Sequence, residues 1–161
     1  MDPALILRAA TRQDVPLILN FIKRLAEYER MANEVIATEE GLRRTLFGDR
    51  PFAECVIAEW DGEPAGFALF FHNYSTFLGR PGIYLEDLFV APTLRGKGVG
   101  KSLLAHLAKL AVERDCGRLE WAVLNWNDSA IKFYESLGAV AQEEWKVYRL
   151  KGQALKDLSG H

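Results

Sequence analysis

The hydrophobic and polar positions of this chain alternate between strand-like and helix-like spacing from one end to the other. Short apolar runs bounded by Gly, Pro or Asp predict strands, whereas apolar residues that recur every three or four positions predict helices. Because strands and helices alternate, the pattern favours an α/β fold. The predicted strands are 5–10, 55–60, 65–71, 83–90, 119–124 and 145–150, the predicted helices are 15–25, 38–47, 103–111 and 129–137, and residues 73–82 are predicted to form a loop.

Turn and cap residues mark the ends of several of these elements. Thr11 and Asp14 have the spacing of a capping box before the first helix. The residues 61–64, Asp-Gly-Glu-Pro, separate two apolar runs and therefore predict a hairpin turn between antiparallel strands. Gly138 follows the helix predicted over 129–137, at the position where glycine commonly ends a helix.

Composition narrows the class of protein. The 161 residues are predicted to form one globular domain, 1–161, and a net charge of −2 gives no basic face for nucleic acid. Cys55 and Cys116 form no C-x-x-C motif and the three histidines are scattered, so no metal is expected. No apolar run has membrane-spanning length and no signal peptide is evident, so we expect no membrane contact and a cytoplasmic location.

The segment Leu85–Gly100 carries the strongest chemical signal, because an apolar strand runs through a Pro-marked turn into a glycine-rich, cationic helix start. Glycines let a ligand approach the backbone, and the N–H groups of a helix start attract anions. A P-loop is excluded because its first glycine would fall on Arg95. The dinucleotide fingerprint fails because its third glycine would fall on Lys101 or Leu103. The segment therefore predicts a seat for a pyrophosphate.

Two motifs resemble those of the GNAT superfamily of acyl-CoA-dependent N-acetyltransferases. Arg95-x-x-Gly98-x-Gly100 matches the family's pyrophosphate motif, and residues 125–139 resemble its late signature N-x-x-[AS]-x-x-[FL]-Y-x-x-x-G-[FA]. The resemblance implies a single-domain α/β GNAT fold with a mixed central sheet of about six to seven strands flanked by about four helices. It also implies that acetyl-CoA is bound by Leu88, Phe89, Val90, Arg95, Gly96, Lys97, Gly98, Val99, Gly100, Lys101, Asn127, Ser129, Ala130 and Tyr134.

Within that superfamily the chain is most similar to the diamine acetyltransferases of the spermidine/spermine type. The likeness covers most of the chain and includes residues 22–29 and 84–90. In the polyamine enzymes an acidic pair follows the first helix, but Ala32-Asn33 stands there in this chain. Polyamines, short diamines and lysine-like amines therefore all stay open as small-molecule acceptors. The resemblance implies that the acceptor is bound by Tyr28, Glu29, Glu86, Asp87, Glu144 and Trp145.

The chemistry of amine acetylation assigns roles to these residues. A primary amine is protonated at neutral pH, so Glu86 is predicted to take its proton, directly or through a water. Backbone N–H groups of residues 88–90 are predicted to stabilise the oxyanion, and Tyr134 is predicted to protonate the departing thiolate. No covalent enzyme intermediate is needed, which favours direct transfer in a ternary complex.

Two other interpretations lead to different experiments. Glu86 or Asp87 would have a purely structural role if it bonded to backbone groups at a strand irregularity. The chain would be a non-catalytic coenzyme-A-binding regulator or sensor if it kept the fold without turnover. Tyr134 favours the enzyme, because a binding module has no need for an acid at the leaving group. The resemblance also implies a homodimer.

Overall fold

The computed structural model describes residues 4–161, which fall into two compact units, one ending at Ala122 and the other comprising Val123–His161. The second unit contains the helices α4 (Asp128–Ser136) and α5 (Gly152–Ser159). Short 3₁₀ turns lie at Arg12–Asp14, Ala32–Glu34 and Pro92–Leu94. The first unit contains β1 (Leu5–Ala9), α1 (Val15–Tyr28), α2 (Glu39–Phe47), β2 (Glu54–Trp60), β3 (Glu63–Ser75), β4 (Arg80–Val90), α3 (Val99–Glu113) and β5 (Leu119–Trp121).

The strands form one mixed sheet in the order β1-β2-β3-β4-β5. The strands β1 to β4 are antiparallel to one another. β5 lies parallel to β4 and pairs with it only at Ile83–Leu85. The predicted α/β fold class is confirmed. Over residues 4–161 the sheet has five strands rather than six to seven, and there are five α-helices rather than four.

Helices cover both faces of this sheet. On one face α1 packs against β3 and β4, where the Phe21 ring stacks 5.3 Å from Phe67 and lies 5.8 Å from Phe89. On the other face α3 contacts β2, β3 and β4 through fully buried side chains such as Leu103 and Leu107. Burial on both faces explains why β2 and β3 are apolar runs rather than alternating sequences.

The local signals predicted from the sequence are confirmed. Thr11 and Asp14 form the capping box, which encloses the 3₁₀ turn that precedes α1. Asp61 and Gly62 adopt positive φ angles of 51° and 81°, as a tight hairpin turn requires. Gly138 has φ 93° just beyond α4. Each of these signals depends on neighbouring residues alone.

The loop predicted at residues 73–82 is wrong. β3 continues to Ser75 and β4 begins at Arg80, so only residues 76–79 connect the two strands. The N–H of Gly79 donates to the Ser75 carbonyl at 2.9 Å, and Gly79 takes φ 65°. The turn contains Gly79, whereas Pro81 and Gly82 lie within β4, where pairing with β3 extends the ladder through residues that had no apolar pattern.

The C-terminal prediction also differs from the structure. Residues 145–150 form no strand, because they pair with no other strand among residues 4–161, and an isolated strand is not stable in water. β5 ends at Trp121 rather than at residue 124. The helix α5 was not predicted, since Lys151 supplies no side-chain cap and Gly152 stands in its first turn. Its apolar positions, at 154, 155 and 158, do have helical spacing.

Candidate active site

The glycine turn, residues 95–100, joins the end of β4 to α3 through the 3₁₀ turn at Pro92–Leu94. Gly96 and Gly98 have φ angles of 80° and 84°, in the left-handed region that non-glycine residues rarely adopt. Nothing lies within 4 Å of the position that a Cβ would take at either residue. The two glycines therefore fix the path of the turn and leave its outer surface open to a ligand.

The first turn of α3 provides unpaired backbone donors. Gly98 is the N-cap, and the first N–H to bond back to it is that of Ser102, at 2.9 Å. The N–H groups of Val99, Gly100 and Lys101 therefore have no partner within the helix. A helix N-terminus with free donors and a partial positive charge suits an anion. These residues fit the pyrophosphate of an acyl-CoA.

Aromatic rings hold the two cations of the glycine turn. The Arg95 guanidinium carbon lies 4.8 Å from the centre of the Tyr28 ring, and its Nε donates to the Val90 carbonyl at 3.4 Å. The Lys97 ammonium lies 5.2 Å from the Trp60 ring. Neither side chain forms an ion pair with a carboxylate of residues 4–161, so both positive charges stay un-neutralised by this part of the chain. They add to the field that the helix start provides.

A β-bulge at Glu86 lies at the middle of β4. Leu69 of β3 pairs with Asp87, and the next residue, Phe70, pairs with Leu85. Glu86 is thus the extra residue that has no partner on β3. Bulges re-aim side chains and often lie beside active sites. The strand irregularity considered from the sequence is therefore present at the predicted base.

The bulge reverses which backbone groups face β5. Before it, the N–H of Ile83 donates to Arg118, next to β5, at 3.0 Å. After it, the N–H of Ala91 donates to Ala65 on β3 at 2.8 Å. Both donors are odd-numbered, and in a regular strand they would point to the same side. The one-residue insertion therefore turns the even-numbered N–H groups beyond Glu86 away from β3.

This reversal leaves donors without a neighbouring strand. The N–H groups of Leu88 and Val90 point to the β5 side, but the ladder with β5 ends at Leu85. They belong to the range 88–90 whose N–H groups are predicted to stabilise the oxyanion, a role that stays a prediction. Phe89 differs from the prediction, because its N–H faces β3 and its ring is only 4% exposed within the core. Phe89 supports the site by packing and offers it no backbone donor.

Three carboxylates form what we call the acidic cluster: Glu29 at the end of α1, and Glu86 and Asp87 on β4. Burial, followed by the nearby charges of Glu86 and Glu29, raises the pKa of Asp87 to about 6. Burial also raises the pKa of Glu29. Asp87 is therefore close enough to Glu86 and to Glu29 to interact with the charge of each.

The acidic cluster has no countercharge of its own. Among residues 4–161, no cation lies within ion-pair distance of Glu29, Glu86 or Asp87, and their side chains accept no hydrogen bond. The structural alternative, in which Glu86 or Asp87 bonds to backbone, therefore finds no support in this part of the chain. Like charges held close together, with Glu29 and Asp87 half-buried, favour binding of a cation.

The late motif folds as predicted in the second unit. Asn127 caps α4, and its Oδ1 accepts from the N–H of Ala130 at 3.4 Å and from the Ser129 hydroxyl at 3.4 Å. Tyr134 follows in α4, with its ring 5.7 Å from that of Phe133. The roles proposed for these residues stay predictions, as do those of two residues between α4 and α5, Glu144 and Trp145.

Arg24 is a nearby residue that the sequence analysis missed. Its guanidinium carbon lies 5.1 Å from the centre of the Phe89 ring. The available signal was its position three residues after Phe21, on the side of α1 that packs against the sheet. A positively charged side chain beside a predicted apolar helix face is unusual, and this position indicates a functional role for Arg24.

The described residues contain neither a cluster of metal-ligating side chains nor a membrane-spanning helix. Residues 4–161 contain no group of three or more His, Cys, Asp or Glu side chains that could hold a metal ion. None of the helices in this part of the chain is long and apolar enough to cross a membrane. Both cysteines are free, with Cys55 buried and Cys116 half-buried.

Known proteins are similar to this chain in sequence and in fold. The thialysine N-epsilon-acetyltransferase of Bos taurus is 39% identical, covering 96% of this chain and 97% of that protein. The L-ornithine N5-acetyltransferase of Arabidopsis thaliana is 36% identical, covering 94% and 86% respectively. An integron cassette protein of V. cholerae superposes with a TM-score of 0.84 at 26% identity, covering 99% of this chain and 100% of that chain.

A family model agrees with these relatives. Residues 22–139 match the model described as the acetyltransferase (GNAT) family, a range that includes Glu29, the β4 bulge, the glycine turn and Tyr134. The resemblance read from the two motifs is therefore confirmed. With its open glycine turn and near full-length likeness to named N-acetyltransferases, the chain belongs to the GNAT family of acetyltransferases, enzymes whose acetyl donor is acetyl-CoA.

Proposed function

We propose that this protein transfers an acetyl group from acetyl-CoA to a primary amine of a small molecule, by direct attack in a ternary complex. The observation that carries the proposal is the acidic cluster, three carboxylates without a countercharge among residues 4–161, two of which lie on the strand that leads into the glycine turn. A cationic amine supplies the missing charge. The whole chain, 1–161, acts as one acetyltransferase domain, which the family match across both units supports.

The acidic cluster both attracts the acceptor and prepares it to react. An alkylammonium group has an ordinary pKa near 10.4 and cannot attack a thioester until it loses a proton. Glu86, exposed at the bulge, accepts that proton directly or through a water and releases it to solvent. Asp87 and Glu29 keep the local field negative, so the cation is held while the proton leaves.

Backbone and tyrosine groups act on the other side of the reaction. Acetyl-CoA supplies the acetyl group as a thioester. The N–H groups of Leu88 and Val90 stabilise the negative charge that develops on the carbonyl oxygen as the amine adds. When the C–S bond breaks, the Tyr134 hydroxyl gives its proton to the thiolate. The acetylated nitrogen releases its second proton to solvent, and the tyrosinate is reprotonated from solvent.

The cysteines support direct transfer rather than an acyl-enzyme. Burial raises the pKa of Cys55 to about 12, so its thiol does not ionise at neutral pH and is a poor nucleophile. Cys116 lies next to the end of α3, outside the glycine turn and the acidic cluster. A reduced, cytoplasmic environment suits two such free thiols.

The names of the relatives favour acceptors with a side-chain amine. Thialysine and ornithine, the amines named for two of them, are diamino acids. A long polycation is less favoured, because Ala32-Asn33 supplies no acidic pair after α1 and leaves Glu34 as the carboxylate of the 3₁₀ turn there. We therefore rank short diamines and lysine-like amines above spermine as acceptors.

A turnover screen tests the proposal. Purified protein is incubated with acetyl-CoA and a panel containing lysine, ornithine, thialysine, putrescine, spermidine, spermine and an aminoglycoside, and release of free CoA is followed alongside mass spectrometry of the amine. We expect stoichiometric CoA release and amine acetylation for at least one short amine. Tight acetyl-CoA binding without turnover across the panel would instead support the regulator or sensor.

We also propose that the protein acts as a homodimer. Tyr74, Phe77 and Leu78, at the tip of the β3–β4 hairpin, are 62%, 100% and 52% exposed, a small apolar patch that a second copy could cover. Analytical ultracentrifugation should show a dimer at micromolar concentration. The Phe77→Ser variant should be shifted toward the monomer. A monomeric wild type would contradict the dimer, and a variant that dimerises as well as wild type would contradict this surface, in neither case affecting the proposed reaction.

A further inference from the structure

Arg24 projects from α1 onto the same face of β4 as the acidic cluster. Its guanidinium lies over the Phe89 ring, 5.1 Å from the ring centre. Phe89 and Asp87 are two residues apart beyond the bulge, so their side chains share one face of the sheet. The positive charge of Arg24 and the acidic cluster therefore lie beside the same stretch of β4.

Arg24 does not neutralise that cluster. Other arginines of the first unit, Arg8 and Arg114, hold carboxylates at 2.7 Å. Arg24 has no ion-pair or hydrogen-bond partner among residues 4–161, and the pKa of Asp87 is raised by its surroundings rather than lowered by a cation. An arginine held over an aromatic ring, without a carboxylate, keeps its planar set of N–H donors available for a ligand.

We infer that Arg24 binds the α-carboxylate of the acceptor, and that the acceptor is an amino acid with a primary amine on its side chain. This inference rests on the proposed function and narrows it. The side-chain ammonium occupies the acidic cluster, and the carboxylate accepts a bidentate pair of hydrogen bonds from the guanidinium. A diamine that lacks the carboxylate leaves Arg24 without that bond.

The competing role for Arg24 is a contact with the acetyl donor. Arg24 and Tyr28 are four residues apart on α1, and Tyr28 contacts Arg95 of the glycine turn. A donor role predicts that loss of Arg24 weakens acetyl-CoA binding equally for every amine. An acceptor role predicts a change that depends on whether the amine carries a carboxylate.

Two pairs of amines separate these roles, because L-ornithine differs from putrescine, and L-lysine from cadaverine, only by the α-carboxylate. For wild type we expect kcat/KM to favour the carboxylate-bearing member of at least one pair by about 10-fold or more. Arg24→Gln should lower kcat/KM for that amino acid about 10- to 100-fold and leave its decarboxylated partner within about twofold. The KM for acetyl-CoA should not change.

Two further variants control the experiment. Lys23→Gln removes an exposed positive charge from the neighbouring position and should preserve the wild-type preference. Arg24→Lys retains the charge without the bidentate geometry, so it should lose part of the preference even if Arg24→Gln folds poorly.

Three outcomes overturn the inference. One is a wild type that uses putrescine and cadaverine at least as well as the amino acids. Another is an Arg24→Gln protein that loses both members of a pair equally, and a third is a raised KM for acetyl-CoA. Absence of transfer to any amine would be a different failure, since it would remove the proposed function as well.

Discussion

The glycine turn and the acidic cluster are built in opposite ways. The glycine turn is a continuous segment whose cations, Arg95 and Lys97, surround free helix donors. The acidic cluster joins Glu29, at the end of α1, to Glu86 and Asp87, which the bulge of β4 aims. One region is positive and local in sequence, and the other is negative and assembled by the fold.

The difference teaches how one enzyme handles two substrates of opposite charge. A pyrophosphate is bound by backbone donors, which tolerate many side chains as long as the glycines remain. An ammonium needs carboxylates at chosen positions, so acceptor specificity depends on individual side chains. Substitutions in the glycine turn should therefore alter donor binding, and substitutions in the acidic cluster should alter the acceptor.

The largest effect is expected from a residue that belongs to neither region. Tyr134→Phe removes the proposed proton donor to the thiolate and should lower kcat about 1000-fold. The KM values for acetyl-CoA and amine should stay within about threefold, because the ring remains. Steady-state kinetics measure both, and an unchanged kcat would exclude Tyr134 as the acid.

A carboxylate substitution tests the acceptor side. Glu86→Gln keeps the size of the side chain but removes the base, so kcat/KM for the amine should fall about 100-fold. Acetyl-CoA affinity, measured by calorimetry, should be unchanged. Raising the pH should recover part of the activity, because more of the amine is then already neutral. If the variant lost only acetyl-CoA affinity, the division between the two regions would be wrong.

A pair of glycines tests the donor side. Gly98→Ala forces a Cβ into a left-handed conformation and onto the open surface of the turn, and we expect the KM for acetyl-CoA to rise about 10-fold. Gly79→Ala, with φ 65° at the β3–β4 turn, is the matched control. Both should lose stability on the order of 1 to 2 kcal/mol in urea unfolding. Equal effects on acetyl-CoA would show that the glycine turn acts only through stability.

The smallest effect concerns pH and stability. The raised pKa of Asp87, about 6 against an ordinary 3.8, means that its charge destabilises the folded protein above pH 6, and this penalty disappears below the ordinary value. Asp87→Asn should therefore raise the free energy of unfolding at pH 8 on the order of 1 kcal/mol, with no gain near pH 3.5.

The opposite sign is expected at Asp14. Arg8 holds the pKa of Asp14 at about 2, so the ion pair contributes stability above pH 3.8 that is lost as the pH falls toward 2. Asp14→Asn should lower the free energy of unfolding at pH 8. Urea titrations of both variants at pH 8 give the comparison, and effects of the same sign would contradict an acidic cluster without a countercharge.

The features that could be predicted from the sequence are again the local ones, whereas those that the fold assembles from distant residues could not be predicted. The glycine turn was predicted because its function lies in consecutive residues, and the caps at Thr11 and Asn127 likewise depend on near neighbours. The carboxylates were named only through family resemblance, since nothing in the sequence shows that Glu29 lies near Asp87. Arg24 was missed because its contact with Phe89 crosses from a helix to a strand.

The measurement that tests the central claim most directly is amine turnover at saturating acetyl-CoA by wild type and by a Glu86→Gln, Asp87→Asn double variant, with the product identified by mass spectrometry. We predict one acetylated amine for each CoA released by wild type. The double variant should bind acetyl-CoA normally but lose at least about 100-fold in kcat/KM for the amine. A double variant as active as wild type, or a wild type that binds acetyl-CoA and acetylates no amine, would contradict the account.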